Sequence, residues 1–253
     1  MSDVTLNTER TAYFGAQEVP EHQKADLVGG MFGRVARSYD LMNDLASLGI
    51  HRVWKHQLLA RLAPEPSMAL LDVGGGTGDI AFGFVARGGG AVTVCDINPA
   101  MLDVGREREA KRPLAQTVEW VEGDAEALPF ADHSFDAYVT AFCIRNVTHI
   151  DAALAEARRV LRPGGRFLCL EFSHPQHPTL RSAFNAYASR VLPVLGKAVA
   201  NEADAYRYLA ESIQRFPDQK RFSKLIADAG LERVTHQDLS GGIAAIHSAI
   251  APR

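Results

Sequence analysis

The chain contains 253 residues, of which 47% are hydrophobic, and it carries a formal net charge of −3. This length accommodates one large α/β domain with additions, and the charge gives no sign of a nucleic-acid-binding surface. The three cysteines form no C-x-x-C pair, so we expect free thiols in a reducing cytosol. No apolar run reaches the roughly 18 residues of a membrane span, and we expect no secretory leader.

The predicted elements alternate between strand and helix after a polar N-terminal segment. We expect residues 1–23 to be a flexible polar tail and residues 24–66 to be a helical cap on a domain spanning 67–253. Apolar runs predict strands at 68–74, 91–96, 117–122, 135–142 and 165–172. Helical patterns begin near Gly78, Pro99, Ala125 (a short helix) and Asp151. Parallel strands joined by helices predict a doubly wound sheet.

The first of these strands runs into a glycine-rich turn. Residues 70–79 have the sequence LLDVGGGTGD, after which a helical pattern starts. Glycine is needed where the backbone takes a positive φ or approaches a ligand closely, and the following helix directs free N–H groups at that ligand. The turn therefore predicts a nucleotide-type cofactor, with contacts from Gly74, Gly76, Thr77 and Gly78.

Two cofactors compete for this turn. The spacing from Gly76 to Ala81 fits the dinucleotide pattern G-x-G-x-x-A. An acid, Asp72, two residues before a G-x-G-x-G core fits the loop that binds S-adenosyl-L-methionine. A carboxylate at this position would repel a pyrophosphate but attract an ammonium group. Asp72 therefore favours S-adenosyl-L-methionine.

The ends of the next two strands supply further candidate contacts with the cofactor. Asp96 ends the second strand and is expected to bind ribose hydroxyls, with Ile97 beside it; this acid suits either cofactor. Asp124 and Ala125 follow the third strand, at the edge where ligands bind in such folds. We expect Asp124 to accept the adenine amino group and Ala125 to donate its backbone N–H to the ring. A solvated acidic loop is the alternative for this segment.

Residues 174–213 form a predicted insertion before the last helix. An apolar stripe at helical spacing runs along it, formed by Leu180, Phe184, Tyr187, Val191 and Leu195. Two interpretations stay open: the stripe packs on the sheet, or part of it covers a substrate together with the helix predicted at 24–38 and faces lipid.

The C-terminal region predicts an antiparallel hairpin. A helix at 217–229 ends at Gly230, and two apolar runs, 231–239 and 243–250, are separated by a Ser-Gly-Gly turn. Dinucleotide dehydrogenases usually lack this hairpin. We therefore expect the Rossmann-like, doubly wound, seven-stranded sheet of class I methyltransferases.

Three segments resemble a known family. They are residues 39–54 (YDLMNDLASLGIHRVW), residues 145–147 (RNV) and residues 159–173 (RVLRPGGRFLCLEFS). They are similar to signatures of the ubiquinone/menaquinone biosynthesis C-methyltransferases, and the resemblance covers roughly residues 25–250. Ala141 stands where some members carry a serine near the cofactor, and is therefore a candidate contact.

The resemblance implies methyl transfer from S-adenosyl-L-methionine to a ring carbon of a polyprenylated quinol. The resemblance does not decide whether the quinol is a 2-polyprenyl-6-methoxy-1,4-benzoquinol or a demethylmenaquinol. Methylation of another small aromatic acceptor is the main alternative. A dinucleotide oxidoreductase and a non-catalytic protein that binds S-adenosyl-L-methionine are the other classes considered.

Three residues are candidates for binding and activating the methyl acceptor. An aromatic carbon becomes nucleophilic when a neighbouring phenolate donates charge to the ring, so the enzyme must assist loss of a phenolic proton. Arg145 is expected to stabilise the phenolate or hold a water, because a guanidinium stays protonated. Asn146 is expected to orient the quinol oxygen, and Tyr39 to bond the ring oxygens or close the site. For His51, two interpretations stay open: it transfers a proton, or it is a helix-capping or solvent-facing histidine.

No metal is expected, because His174 and His177 have no carboxylate or cysteine at a metal-binding spacing. We expect a cytoplasmic protein that can touch the inner face of a membrane peripherally to reach a substrate with a long apolar tail. A homodimer or a quinone-biosynthesis complex is the expected assembly, without nucleic acid.

Overall fold

The computed structural model describes residues 10–38, 41, 43–44, 47–111, 114–192, 194 and 203–253. The strands in these ranges are β1 (Thr11–Phe14), β2 (Gln17–Pro20), β3 (Leu70–Val73), β4 (Val92–Asp96), β5 (Val118–Glu122), β6 (Phe135–Ala141), β7 (Leu161–Phe172), β8 (Glu232–Leu239) and β9 (Ala244–Ile250). The α-helices are α1 (Glu21–Val35), α2 (His51–Leu62), α3 (Asp79–Val85), α4 (Pro99–Lys111), α5 (Ile150–Val160), α6 (Pro178–Ala186), α7 (Ala203–Arg215) and α8 (Gln219–Asp228).

Seven of the strands form one sheet, in the order β5-β4-β3-β6-β7-β9-β8. The five strands from β5 to β7 are mutually parallel, whereas β9 runs antiparallel to both β7 and β8. This topology confirms the predicted doubly wound sheet with a C-terminal antiparallel hairpin.

The central strands are apolar because both faces of the sheet are covered. All four residues of β3 are buried, as parallel strands between two helical layers require. On one face, Ile80 and Phe84 of α3 join a core cluster with α2 and α4. On the other face, Leu154 and Val160 of α5 join a cluster with α8. The helices that follow neighbouring strands β3 and β6 therefore lie on opposite sides of the sheet.

The predicted polar tail is wrong for residues 11–20, which form the antiparallel hairpin β1–β2. The strands are too short for a periodic sequence signal, and tertiary contacts hold them. Phe14 stacks on Tyr208 of α7 with ring centroids 4.6 Å apart, and the Ala16 N–H donates to Glu211 at 2.7 Å. The first helix consequently begins at Glu21.

The short helix predicted at Ala125 is wrong, because this segment is a turn. Asp124 accepts the Glu126 N–H with its side chain at 2.9 Å and the Ala127 N–H with its carbonyl at 3.1 Å. An acid that bonds its own backbone in this way competes with a helix. Pro129 follows shortly after and cannot extend one.

The insertion contains α6, a π-helical turn (Tyr187–Val191) and α7. Phe184 and Tyr187 of the predicted stripe pack against the core, whereas the Val191 side chain is exposed. Leu195 lies outside the described residues. Among the helices in the described ranges, none is both long enough and apolar enough to cross a membrane.

Two helical glycines offer a matched test of the packing between α4 and β5. A Cβ on Gly105 would overlap the Trp120 ring, whose indole N–H is fixed by Glu109 at 2.7 Å. A Cβ on Gly30 of α1 would meet no atom within 4 Å. We expect Gly105→Ala to lower the free energy of unfolding by about 1–3 kcal/mol through overpacking. Gly30→Ala should raise it by roughly 0.5–1 kcal/mol through helix propensity. Urea denaturation measures both, and equal effects would contradict the packing of Trp120.

Candidate active site

A cleft of about 520 Å³ opens where the carboxyl ends of β3, β4 and β6 meet α1. Most of the residues predicted to bind the cofactor or orient the acceptor line it. They are Asp72, Gly74, Gly76, Thr77, Asp96, Ile97, Asp124, Ala125, Ala141 and Asn146. The order of the strands brings these residues together from four separate segments of the chain, which lie at the carboxyl ends of β3, β4, β5 and β6.

The glycine turn forms the floor of the cleft. Gly74 has φ +64°, and a Cβ there would overlap the sulfur of Cys143. The Gly76 N–H donates to Asp96 Oδ2 at 2.9 Å. Gly78, in contrast, does not line the cleft. A Cβ on Gly78 would come within 2.6 Å of the Trp120 ring, so this glycine serves helix packing.

Asp72 is a fully buried carboxylate beside this turn. Neither oxygen has a hydrogen-bond partner among the described residues. Burial raises the pKa of Asp72 to about 7, and the nearby Lys55 ammonium opposes this rise. A buried carboxylate with unused acceptors is costly unless a ligand supplies hydrogen bonds or positive charge. The position is therefore suited to a cationic group.

Asp96 presents a second acidic group to the cleft. Oδ2 accepts the Gly76 N–H and Oδ1 accepts the Asn98 N–H, both at 2.9 Å. Burial raises the pKa of Asp96 to about 6, although these two hydrogen bonds favour the ionised form. Each oxygen keeps a second lone pair, so the carboxylate can still accept from a pair of hydroxyl groups.

Lys55 is a cleft residue that the sequence analysis missed. It projects from α2, and its Nζ lies 2.7 Å from Asp79 Oδ2. Arg108 holds the other oxygen of Asp79 at 2.7 Å. Burial opposes ionisation of Asp79, but the two cations hold its pKa below its usual range. Lys55 is the residue directly after the signature at 39–54, and this position was the only hint in the sequence that Lys55 has a function. Helix periodicity could not show that the Lys55 side chain reaches the cleft.

Arg145 lies outside the cleft and borders a second cavity of about 600 Å³, which adjoins the first. Its side chain is only 5% exposed, and Nη1 donates to Glu171 Oε1 at 2.8 Å and to the carbonyl of Phe142. Burial raises the pKa of Glu171, and the Arg145 guanidinium opposes that rise. Arg145 therefore ties the loop after β6 to the end of β7.

The other candidates for acceptor chemistry differ in their placement. Asn146 lines the cleft, and its Oδ1 accepts the Tyr208 hydroxyl at 3.1 Å. Tyr39 lies outside the described residues. His51 is buried at the start of α2, where Nε2 lies 2.9 Å from Asp44. Because His51 is absent from the cleft wall, its position favours a structural role.

Within the described ranges, no group of three histidine, cysteine or acidic side chains is arranged to hold a metal ion. His174 Nε2 lies 2.7 Å from the carbonyl of Phe216, and His177 Nδ1 lies 2.7 Å from the Thr179 hydroxyl.

A seven-stranded sheet with this strand order and a glycine-lined cleft at its carboxyl edge defines the class I methyltransferase fold. A solved relative in fold is phosphoethanolamine N-methyltransferase 2 of Haemonchus contortus in complex with S-adenosyl-L-methionine. The TM-score is 0.60 at 18% sequence identity, covering 79% of this chain and 52% of that one. At this identity the similarity concerns the fold alone.

Residues 18–251 match the model of the ubiE/COQ5 methyltransferase family, and the chain belongs to that family. It is therefore an S-adenosyl-L-methionine-dependent methyltransferase. The mitochondrial 2-methoxy-6-polyprenyl-1,4-benzoquinol methylase of Arabidopsis thaliana is 51% identical, covering 97% of this chain and 92% of that protein. The ubiquinone/menaquinone biosynthesis C-methyltransferase UbiE of Paracoccus denitrificans is 53% identical, covering 97% and 98%.

The ion pair between Arg145 and Glu171 can be tested by comparing the free energies of unfolding of single and double variants. Arg145→Met leaves a buried carboxylate without its partner and should lower the free energy of unfolding by about 3–5 kcal/mol. The double variant Arg145→Met/Glu171→Leu removes both charges and should recover most of that loss. Chemical denaturation of the wild type, both single variants and the double variant measures the coupling. Additive losses would show that the two side chains do not stabilise each other.

Proposed function

We propose that this methyltransferase acts on a ring carbon of a polyprenylated quinol. The buried, unpaired carboxylate of Asp72 beside a glycine turn carries the cofactor part of the proposal, since it suits the ammonium of S-adenosyl-L-methionine. Family membership carries the acceptor part. The relatives from Arabidopsis thaliana and Paracoccus denitrificans are named for benzoquinol methylation and for ubiquinone/menaquinone biosynthesis, respectively.

The residues of the cleft can hold each part of the cofactor. Asp72 would bind its ammonium and Lys55 its carboxylate, which explains why opposite charges lie together at this end. Asp96 would accept the ribose hydroxyls. The adenine would lie against Asp124 and Ala125, and the remaining proposed contacts are Gly74, Gly76, Thr77, Ile97 and Ala141. S-adenosyl-L-methionine supplies a methyl group made electrophilic by its sulfonium.

Asn146 is the proposed contact to a quinol oxygen. Tyr208 donates to the Oδ1 of Asn146, and the Nδ2 of Asn146 donates to the carbonyl of Phe142 at 3.5 Å, which together fix the amide and leave its second N–H for the substrate. Arg145 acts through position, because it holds the loop after β6. Tyr39 is proposed as a further contact to the ring oxygens on the resemblance of residues 39–54 to the family signature alone.

Helix α1 is the proposed cap over the two substrates. Asn98 donates to the carbonyl of Gly29 at 2.8 Å and so fastens α1 to the loop after β4. The apolar tail would leave the protein near the start of α2, where Leu48 is 80% exposed and Val53 is also exposed. Because α2 also supplies Lys55 to the cleft, a peripheral contact with lipid at this point would lie close to the site.

The oxidation state of the acceptor tests the proposed reaction. Methylation of a ring carbon needs a phenolic oxygen that can donate charge to the ring, so the reduced demethylated quinol should be methylated and the oxidised quinone should not. The measurement is transfer of a labelled methyl group under anaerobic conditions, with and without dithionite. Equal rates on both forms would contradict a phenolate mechanism, and no transfer to any quinol would contradict the proposed acceptor.

The pH dependence of cofactor binding tests the role of Asp72. Only the ionised carboxylate attracts the ammonium, and the pKa of Asp72 is about 7. We expect the affinity for S-adenosyl-L-methionine to be highest between about pH 7 and pH 8 and to fall by up to roughly tenfold per unit well below pH 7. It should fall again above pH 8, because the α-amino group of the ligand, with an ordinary pKa of about 8, loses its proton there. Asp72→Asn should weaken binding at pH 8 by about 1.5–3 kcal/mol and flatten this profile. Calorimetric titration measures both, with the exposed Asp103→Asn as the matched control.

The thermal stability of the ligand-free protein provides a second test of the buried Asp72 carboxylate. A raised pKa in the folded state means that ionisation of Asp72 opposes folding, so this contribution to stability is lost as the pH rises through 7. The ligand-free Asp72→Asn protein should therefore melt higher than wild type at pH 8, with a smaller difference at pH 5. A lower melting temperature at pH 8 would show that Asp72 stabilises the fold instead.

A further inference from the structure

His149 stands where the cleft and the second cavity adjoin, and its ring lies on the wall of both. It precedes α5, three residues beyond Asn146. Its side chain is 43% exposed, so the ring can exchange protons with solvent. A histidine between a substrate cleft and solvent is well placed for proton transfer.

One ring nitrogen of His149 is held by Glu126. Nδ1 lies 2.6 Å from Glu126 Oε2. The other oxygen of that carboxylate accepts the N–H groups of Thr148 and His149 at 2.6 and 3.0 Å. Backbone N–H groups require an acceptor, so they keep Glu126 oriented with its second oxygen towards the ring. Nδ1 therefore keeps its proton, whereas Nε2 faces Glu21 and can accept a proton once it has released its own to that carboxylate, as in a carboxylate–histidine pair.

The second nitrogen faces Glu21. Nε2 lies 2.5 Å from Glu21 Oε1, and Glu21 belongs to the first turn of α1 and lines both cavities. The hydrogen bond with Glu126 and the charge of Glu21 raise the pKa of His149 above its usual range, against partial burial. The second cavity is also lined by the charged residues Lys24, Arg145 and Arg215 and by Tyr13 and Tyr208, and the cleft by Arg10, His22 and Asp124 among others. Lys24 donates to the carbonyl of Val147 at 2.7 Å.

We propose that His149 Nε2 accepts the phenolic proton of the quinol, that Glu126 fixes the required tautomer, and that Glu21 passes the proton to solvent. This inference rests on the proposed function, because it assigns the base of that reaction. Glu21 must turn aside from Nε2 to let the quinol oxygen approach, and its place at the end of the capping helix allows that movement.

Methyl transfer follows loss of the phenolic proton. The quinol O–H bond breaks, its proton binds the lone pair of Nε2, and the electron pair left on oxygen is delocalised onto the ring carbon. That carbon forms a bond with the methyl group as the bond from methyl to sulfur breaks, and the electron pair of that bond stays on sulfur. The methylated carbon then loses its hydrogen as a proton to water and the oxygen takes a proton from water, while the phenolic proton held by the imidazolium leaves to solvent through Glu21. One proton is released to solvent overall.

The test compares His149→Ala, His149→Gln and Glu126→Gln with a matched control, His177→Gln, which changes an exposed histidine away from both cavities. The affinity for S-adenosyl-L-methionine should stay close to wild type in every variant by calorimetry. Turnover on the demethylated quinol should fall about 100-fold or more in both His149 variants. It should fall less in Glu126→Gln and stay unchanged in the control. Added imidazole should partly restore turnover to His149→Ala alone.

A second measurement does not depend on turnover. A phenolic analogue of the quinol, bound with S-adenosylhomocysteine, should ionise at a lower pH than in water, as followed by phenolate absorbance. His149→Gln should shift that ionisation to higher pH. At saturating S-adenosyl-L-methionine, where the titration of Asp72 does not limit the rate, the wild-type pH profile of turnover should also lose rate as the pH falls through the pKa of His149, because a protonated ring accepts no proton. The His149 variants should lack this acidic limb under the same conditions.

The outcomes separate the two proposals. If wild type methylates no quinol, the proposed function fails, while the absorbance experiment still reports on His149. If wild type is active but the His149 variants stay within threefold of it, or keep the acidic limb, the inference about His149 is overturned. A purely structural contact between α1 and the core would lower the melting temperature and cofactor affinity without imidazole rescue. That result also overturns it.

Discussion

The site depends on one topological constraint: the helices after the neighbouring parallel strands β3 and β6 pack on opposite faces of the sheet. Neither α3 nor α5 can then cover the carboxyl ends of these strands, so a crevice remains between the two connections. The glycine turn, Asp96 and the loop after β6 all follow strands that end at this crevice. Helix α1 closes it from outside the sheet.

The charges around the crevice follow from what it must enclose. Six acidic residues line it, namely Glu21, Asp72, Asp79, Asp96, Asp124 and Glu126. Asp72 and Asp96 have raised pKa values because burial penalises their ionised forms, which a cationic ligand would relieve. The positive group at the same end, Lys55, is held by Asp79. The cleft is therefore polarised for a ligand that carries charges of both signs.

Local sequence patterns could not predict the residues that meet across this crevice. Glu21, Glu126 and His149 are far apart in the chain and look like ordinary surface residues, yet they form one connected group. For Arg145, the sequence placed the residue correctly after β6 but did not show where its side chain points. Glu171, from the neighbouring strand β7, binds the guanidinium outside the cleft. The hairpin at 11–20 was missed because contacts with α7 hold it, and strands of four residues show no usable periodicity.

By itself the sequence determined the order of the central strands and helices, the glycine turn with its acid at Asp72, and the family. These features are local: apolar periodicity sets strands and helices, and positive φ demands glycine within a few residues. Only the tertiary structure decided that Asp72 is buried without a partner, that Lys55 reaches the cleft, and that His149 lies between two carboxylates. Burial, pKa and ion pairing depend on groups brought together from distant segments, and a linear pattern does not contain those distances.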